Sequence, residues 1–294
     1  GGGGRGMRVV EEATQFTGLF NQATQEASEA FGDPAIYLER YFPAVRHLEV
    51  QIFGDTHGTV RHLGERDCTT QRRHQKLVEE CPSPVLSDDE RSALLDASVK
   101  LAERVGYQGA GTVEFIFDER ARQFFFIEMN TRNQVEHPVT ELRIGHDLIV
   151  EQLRVALGEP LSVPQESDWP GGHAIEFRIN AEDATQNFRP SPGRVTTWRP
   201  PQGKGIRVDS FVYQGIEIPP FYDSMIAKLI VHDVDRSAAL ERARGALDTF
   251  EITGASTLRP FHRALVDDPD FISSRIDTRW VERVFLDRFS KKGS

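Results

Sequence analysis

The segment from Glu128 to Pro138 concentrates side chains that can carry out chemistry, namely carboxylates, side-chain amides, a guanidinium and an imidazole. It follows the apolar run 124–127, which predicts a buried strand. A buried strand does not normally end in so many polar groups unless something polar or ionic is bound there. Glu128 and Asn130 are two residues apart, so both point to the same face of that strand.

A second carboxylate, Glu114, lies in a similar apolar run. Residues 118–123 predict a polar turn, and a hairpin centred near Ala121 would place Glu114 directly opposite Glu128. Two carboxylates about 5 Å apart on one sheet face repel each other unless a cation or a proton lies between them. With Asn130 they form an oxygen-only ligand set, which favours Mg²⁺ or Mn²⁺ holding phosphate oxygens.

Arg132, Gln134 and Glu136 continue the two-residue spacing of the same segment. The alternative is a solvated hairpin end that carries these groups by chance. A carboxylate pair in register, followed by three more polar side chains at this spacing, favours a joint site for a metal ion and an anion.

Two other stretches have the composition of phosphate-binding sites. The bare backbone N–H groups of Gly2, Gly3 and Gly4 can approach phosphate oxygens, although no Gly-Lys-Ser/Thr follows as in a P-loop. Residues 65–76 form a basic cluster in an otherwise acidic chain, with an ordinary surface patch as the alternative. The groups that could contact phosphate or ribose there are Gln71, Arg72, Arg73, His74 and Lys76.

Composition limits the kind of protein. The chain has 294 residues and 38% hydrophobic content, enough for a sizeable core and one or two domains. The net charge of −10 argues against nucleic acid or an anionic membrane as the main partner. We expect no membrane-spanning helix, no signal peptide and, with only two cysteines, a reduced cytoplasmic environment.

The predicted elements alternate without an internal repeat and indicate an α+β fold. Helices are predicted over 11–31, from the Ser87 capping box to 105, and over 138–157, 236–250, 258–266 and 278–289. Strands are predicted over 35–42, 47–53, 59–63, 111–117, 124–130, 174–179, 194–198, 206–213 and 225–231. Residues 64–78 look poorly patterned, and the Pro- and Gly-rich stretch 163–172 predicts a domain boundary.

In strand 174–179, alternation places Glu176, Arg178 and Asn180 on one face. A functional guanidinium and an ordinary solvent-facing strand are equally consistent with that pattern.

Taken together, these stretches resemble biotin carboxylase, the ATP-grasp ligase component of biotin-dependent carboxylases. The matching stretches, in the family's order, are GGGGRGMRVV, RHLEVQIFGD, GERDCTTQRRHQKLVEE, GTVEFIF, FIEMNTRNQVEHPVTE, IEFRINAED, RPSPGRV and PPFYDSMIAKLIV. The resemblance implies a partial ATP-grasp domain over 1–162, without its amino-terminal domain, and a biotin carboxylase C-terminal α+β domain over 163–294.

The resemblance also implies an activity and a set of roles. Enzymes of this family use MgATP to convert bicarbonate to carboxyphosphate, whose CO₂ carboxylates biotin on a separate carrier domain. In this chain Glu136 matches the base that deprotonates bicarbonate, and Arg178 matches the group that steadies the biotin enolate. The bicarbonate pocket matches Lys76, Arg132, Gln134 and the Val135 amide. The metal ligands match Glu114, Glu128 and Asn130. The ATP contacts match Gly2, Gly3, Gly4, Glu39, Phe42, His47, Gln71, His74, Glu114 and Glu128.

Several expectations follow for the protein as a whole. The family's first domain and its lysine-bearing strand are not among these 294 residues, so we expect the chain alone to show little or no biotin carboxylation. Expected partners are bicarbonate, a carboxyltransferase subunit, a biotin carboxyl carrier domain and a second copy in a homodimer. The expected location is the cytoplasm, or the mitochondrial matrix in a eukaryote. The final acyl acceptor stays open.

Two alternatives remain at this point. One is another bicarbonate-activating ATP-grasp ligase that forms carbamoyl phosphate, although Arg178 and the segment 221–225 match the biotin-site domain instead. The other is a non-catalytic fragment that serves in assembly or dimerisation. A biotin-dependence assay separates the first from biotin carboxylase, and light scattering with nucleotide-binding calorimetry tests the second.

Overall fold

The computed structural model describes residues 6–292, and the chain divides into two compact units, 1–43 and 44–294. The first unit contains a 3₁₀ turn (Ala13–Gln15) and helix α1 (Phe16–Phe31), which confirms the predicted helix. The helix ends at Gly32, whose left-handed φ of 72° suits glycine at this position.

The strand predicted over 35–42 is wrong. These residues form no strand, and Tyr37 and Leu38 are strongly exposed. The described part of the first unit holds no other strand, so this backbone has no ladder partner there.

The second unit mixes strands and helices. In chain order its strands are β1 (Arg46–Gly54), β2 (Val60–Arg72), β3 (Gln75–Cys81), β4 (Gly109–Asp118), β5 (Gln123–Asn130), β6 (His173–Asn180), β7 (Glu182–Asp183), β8 (Arg189–Pro190), β9 (Gly193–Arg194), β10 (Thr197–Arg199), β11 (Ile206–Ser210), β12 (Glu217–Ile218), β13 (Met225–Asp233) and β14 (Glu251–Thr253). Its helices are α2 (Asp88–Arg104), α3 (His137–Ile144), α4 (Leu148–Ala156), α5 (Arg236–Thr249), α6 (Arg259–Leu265), α7 (Pro269–Ile272) and α8 (Leu286–Lys292), with a π-helical turn at Val281–Phe285 and 3₁₀ turns at Glu166–Asp168 and Ala184–Gln186.

Eight of these strands form one antiparallel sheet in the order β11-β13-β6-β3-β2-β1-β4-β5. The sheet is continuous through strands on both sides of residue 163, where a domain boundary was predicted. That boundary stays a prediction. Among residues 6–292, none of the helices combines the length and the apolar character needed to cross a bilayer.

Alternation along the central strands gives the sheet an apolar and a polar face. On β1, Leu48, Val50 and Ile52 pack into a core with Leu94 of α2. On β6, Phe177 and its apolar neighbours pack against α5 and α6 in a second core. The intervening residues of the same strands carry charged and amide groups, so these groups lie together on the opposite face of the sheet.

Several element predictions needed correction. The stretch 64–78 is not an unpatterned loop but contains most of β2, a turn and the first part of β3. Its polar side chains are buried because partners such as Glu49 on β1 bond them, and this hides the strand periodicity. The helix predicted over 138–157 is two helices, because Gly145 adopts φ 71° and Asp147 caps the second one. The strand predicted over 206–213 ends at residue 210, and that over 194–198 is split into β9 and β10.

The apolar run 124–127 does form a strand, but the prediction that it is buried is wrong. The run belongs to β5, which lies at the edge of the sheet, and Phe126 and Ile127 are exposed. An edge strand has a neighbour on one side only, and apolar composition does not reveal that position.

Candidate functional site

A cavity of about 390 Å³ opens on the polar face of the sheet. It is built by residues of β1, β3, β4, β5 and β6, by the segment after β5 and by the start of β13. Eleven of the predicted site residues line it, namely His47, His74, Lys76, Glu114, Glu128, Asn130, Arg132, Gln134, Val135, Glu136 and Arg178. Thus the fold brings together groups that are up to 131 positions apart between His47 and Arg178.

Lys76 lies at the centre of the charged groups. Its Nζ donates to Glu49 Oε2 and to Glu136 Oε1, each at 2.6 Å, and lies 3.4 Å from Glu114 Oε1. Burial alone would lower the pKa of Lys76, but the surrounding negative charges hold that pKa above its usual value. The ammonium group therefore stays charged and holds three carboxylates from three segments together.

Glu114 is held as an anion by several donors. Asn130 Nδ2 and Gln134 Nε2 each lie 2.9 Å from its Oε1, and His47 Nε2 lies 3.0 Å from its Oε2. Burial would raise the pKa of Glu114, but the hydrogen bond with His47 and the charge of Lys76 lower it to about 2. The carboxylate of Glu114 is therefore ionised at neutral pH.

The predicted register of the two metal-ligand candidates is confirmed, since Glu114 and Glu128 are direct partners across β4 and β5. The Asn130 Nδ2 atom lies 2.9 Å from Glu114 Oε1 and 3.4 Å from Glu128 Oε1, so both carboxylates point at one place. Turning the amide would present its oxygen there instead. Two carboxylates and an amide oxygen are a donor set that fits a hard divalent cation such as Mg²⁺.

Glu136 lies between two cations. Its Oε1 accepts from Lys76, and its Oε2 accepts from Arg178 Nη2 at 2.9 Å. Arg178 also donates through Nε to Glu79 Oε1 at 2.6 Å. Burial would lower the pKa of Arg178, but Glu79 and Glu136 raise it, so the guanidinium is firmly charged. Arg178 is therefore not on a solvent-facing strand side but is a half-buried cation at the cavity wall.

The remaining predicted residues are less closely joined to this group. Gln71 is buried beside His47 and donates to the Cys68 carbonyl at 3.1 Å, and it does not line the cavity. His74 is exposed on the β2–β3 turn with φ 64°. Arg132 is exposed, and its Nη1 lies 3.3 Å from the Asn133 carbonyl.

Three predictions fall outside this unit. Glu39 and Phe42 lie in the first compact unit, in the irregular segment after α1. The glycines Gly2, Gly3 and Gly4 lie outside the described residues. Their proposed contacts with ATP stay predictions.

Sequence reasoning missed Glu49, which is fully buried on β1 opposite Glu114. It accepts hydrogen bonds from Arg66 and from Lys76 and so links the cavity to the polar layer beneath it. Burial would raise the pKa of Glu49, but these two cations lower it to about 2. The signal was present, because His47, Glu49 and Gln51 alternate with apolar residues along β1.

Comparison with known proteins identifies related families in both halves of the chain. Residues 1–163 match the family model "Carbamoyl-phosphate synthase L chain, ATP binding domain". Residues 176–283 match the model "Biotin carboxylase C-terminal domain".

Proteins with similar sequences are named biotin carboxylases. The biotin carboxylase of Nostoc sp. is 50% identical over 284 residues, which cover 97% of this chain and 63% of that protein. Biotin carboxylase 1 of Bacillus subtilis is 50% identical over 282 residues, covering 96% of this chain and 63% of that protein. The chain thus spans about three fifths of the length of such relatives.

Solved structures show the same fold. A Campylobacter jejuni biotin carboxylase complex with β,γ-ATP superposes with a TM-score of 0.89 at 46% identity and covers 96% of this chain and 63% of its own. The biotin carboxylase domain dimer of Hydrogenobacter thermophilus 2-oxoglutarate carboxylase, in complex with MgADP, ADP and bicarbonate, has a TM-score of 0.88 at 46% identity, covering 96% and 62%. The predicted α+β, ATP-grasp-type fold is confirmed.

Proposed function

The chain belongs to the biotin carboxylase family, and we propose that the protein of which it is part uses MgATP to activate bicarbonate and carboxylates biotin on a carrier domain. One observation carries the proposal. The Glu136 carboxylate is held between Lys76 and Arg178 at the wall of the cavity that Glu114 and Glu128 also line. A base, two fixed cations and a metal-ligand pair within one cavity are what activation of a small anion by ATP requires.

The anion pocket consists of Lys76, Arg132, Gln134 and the Val135 amide. Bicarbonate is a small planar anion, and a guanidinium offers it a bidentate pair of donors. Glu136 acts as the base that takes the bicarbonate proton, because its oxygens face this pocket and are oriented by two cations. Arg178 steadies the negative charge that develops on the ureido oxygen of biotin.

Glu114, Glu128 and Asn130 would hold Mg²⁺ or Mn²⁺, which offsets charge on the nucleotide phosphates when bound. His47, Gln71, His74, Glu39, Phe42 and the loop Gly2 to Gly4 supply the ATP contacts in this proposal. His47 contributes to the metal side directly, because it hydrogen-bonds Glu114.

Partners and location follow from the family as proposals. The proposed partners are a biotin carboxyl carrier domain, a carboxyltransferase subunit, and a second copy of the chain in a homodimer. The relative from Hydrogenobacter thermophilus is itself named as a domain dimer. A cytoplasmic or mitochondrial location and the acyl acceptor remain predictions, as does the division at residue 163.

The test is ATP hydrolysis by the full-length protein with bicarbonate and free biotin. We expect turnover that requires both, and formation of N-carboxybiotin. Turnover that ignores biotin and yields carbamoyl phosphate from ammonia would overturn the proposal in favour of the other bicarbonate-activating ligase. The 294-residue chain run in parallel should show little or no turnover.

A further inference from the structure

A second pair of carboxylates lies behind Arg178, away from the cavity lining. Glu79 on β3 and Glu176 on β6 are direct partners across the two strands, and both side chains are fully buried. Cross-strand partners have their side chains on the same face, about 5 Å apart. Two negative charges at that distance without solvent repel each other strongly.

The hydrogen bonds of this pair are incomplete. Glu79 Oε1 accepts from Arg178 Nε at 2.6 Å. Glu79 Oε2 and both carboxyl oxygens of Glu176 have no partner among the described residues. One proton shared between the two facing carboxyl groups would pair two of these three buried oxygens in a single O–H···O hydrogen bond.

The neighbouring cations are engaged elsewhere. The titratable and charged groups that face the pair are Cys68 of β2, Lys76 of β3, Arg178 of β6, Lys228 of β13 and Glu136 of the segment before α3. Lys76 Nζ is bonded to Glu49 and Glu136, and Lys228 Nζ donates to the Val135 carbonyl at 2.8 Å. Among the described residues, Arg178 is the only cation that hydrogen-bonds this pair, and it also donates a hydrogen bond to Glu136.

We propose that Glu79 and Glu176 share one proton at neutral pH and that the resulting single negative charge, on Glu79, positions Arg178 for its work on biotin. In this arrangement the protonated Glu176 carboxyl donates to Glu79 Oε2, and Glu79 Oε1 keeps its charge toward Arg178 Nε. The assignment of positioning residues rests on the proposed function, whereas the shared proton does not.

The single charge has a geometric consequence. Glu79 Oε1 accepts from Arg178 Nε and lies 2.6 Å from Nη2 as well, which fixes the plane of the guanidinium and leaves Nη2 to donate to Glu136 Oε2 at 2.9 Å. A second full charge behind Arg178 would compete with Glu136 for the same cation. Burial raises the pKa of both carboxyl groups, for Glu79 to about 7, and the charge of Glu79 raises the pKa of Glu176 further.

Infrared spectroscopy of the full-length protein tests the proton directly. At pH 7 we expect the carbonyl stretch of a protonated, buried carboxylic acid, and we expect Glu176→Gln to remove it. The exposed Glu103→Gln is the control and should leave the band unchanged. Absence of the band from the unmodified protein at pH 7, or its survival in Glu176→Gln, would overturn the shared proton even if the enzyme is fully active.

Steady-state kinetics test the positioning role. Glu79→Gln removes the anion from Arg178, so we expect kcat/KM for biotin to fall about tenfold or more while KM for ATP stays within about twofold. Glu176→Gln keeps the charge on Glu79 and should lose markedly less. Equal losses in the two variants, or a loss confined to KM for ATP, would overturn the positioning role. Absence of biotin-dependent turnover in the unmodified protein would instead count against the proposed function.

Discussion

Two carboxylate pairs in one sheet are similarly buried, yet their pKa values are shifted in opposite directions. Glu49 and Glu114 are partners across β1 and β4, and Glu79 and Glu176 are partners across β3 and β6. In the first pair both pKa values are lowered to about 2, whereas in the second pair both are raised. Burial acts in the same direction on all four, so burial cannot explain the difference.

The difference lies in the number of donors that reach each pair. Arg66, Lys76 and His47 contact the first pair, together with two side-chain amides. Among the described residues, only Arg178 contacts the second. The first pair is thereby kept fully ionised next to the proposed metal site. In our proposal the second carries a single charge and lies behind Arg178, the cation that is proposed to face biotin.

Glu136 lies between the two pairs and gives the largest expected effect. Its carboxylate contacts Lys76 on one side and Arg178 on the other. We expect Glu136→Gln to lower bicarbonate-dependent turnover by about 100-fold or more, because an amide cannot accept the proton, while ATP binding is retained. Turnover assays and nucleotide calorimetry on the full-length protein check this. Unchanged turnover would remove Glu136 from the role of base.

Replacing Lys76 tests what keeps the first pair ionised. We expect Lys76→Met to destabilise the protein by about 3 kcal/mol or more, because it leaves buried carboxylates short of a counter-charge. The pKa values of Glu49 and Glu114 should rise toward those of the second pair. Urea denaturation at several pH values measures both effects, with the exposed Lys100→Met as the control. Equal stability of the two variants would show that Arg66 and the neutral donors suffice.

The pH dependence of stability should separate the two pairs. For Glu49 and Glu114 the folded pKa lies below the unfolded value of 4.5, so their contribution is present above pH 4.5 and is lost as pH falls toward 2. For Glu79 the folded pKa of about 7 lies above 4.5, so stability is lost as pH rises from 4.5 to 7.

Replacing Glu176 should reduce a loss of the same sign. The pKa of Glu176 is raised by burial and by Glu79, so the folded state keeps a proton that the unfolded state releases above pH 4.5, and Gln at this position has no such proton. We therefore expect the stability of Glu176→Gln to fall less than that of the unmodified protein as pH rises from 4.5 to 7. Denaturation at several pH values measures the free energy of unfolding of both proteins. The same change of this free energy with pH in both would contradict a raised pKa of Glu176.

The two pairs also differ in how far the sequence could predict their surroundings. Glu114 and Glu128 were placed opposite each other correctly because a short polar turn fixes the register of a hairpin. The stretch containing β3 was missed because Glu79 and its neighbours are polar and buried, and the strand that pairs with Glu79, β6, is distant in sequence. Such pairing leaves no local signal, and the shared proton follows only from the sheet order.

Glu128 is the exposed carboxylate of the proposed metal site, and its replacement should give the smallest effect of these variants. It is a cross-strand partner of Glu114, yet it is exposed, and its nearest donor is the Asn130 amide at 3.4 Å. A carboxylate with so few partners has little structural role, so Glu128→Gln should leave stability nearly unchanged. It should shift the Mg²⁺ midpoint of ATP hydrolysis upward by about tenfold, because one ligand of a hard cation loses its charge. The exposed Glu103→Gln is the control. If the Mg²⁺ midpoint of Glu128→Gln were the same as that of this control, Glu114 would bind the ion without Glu128.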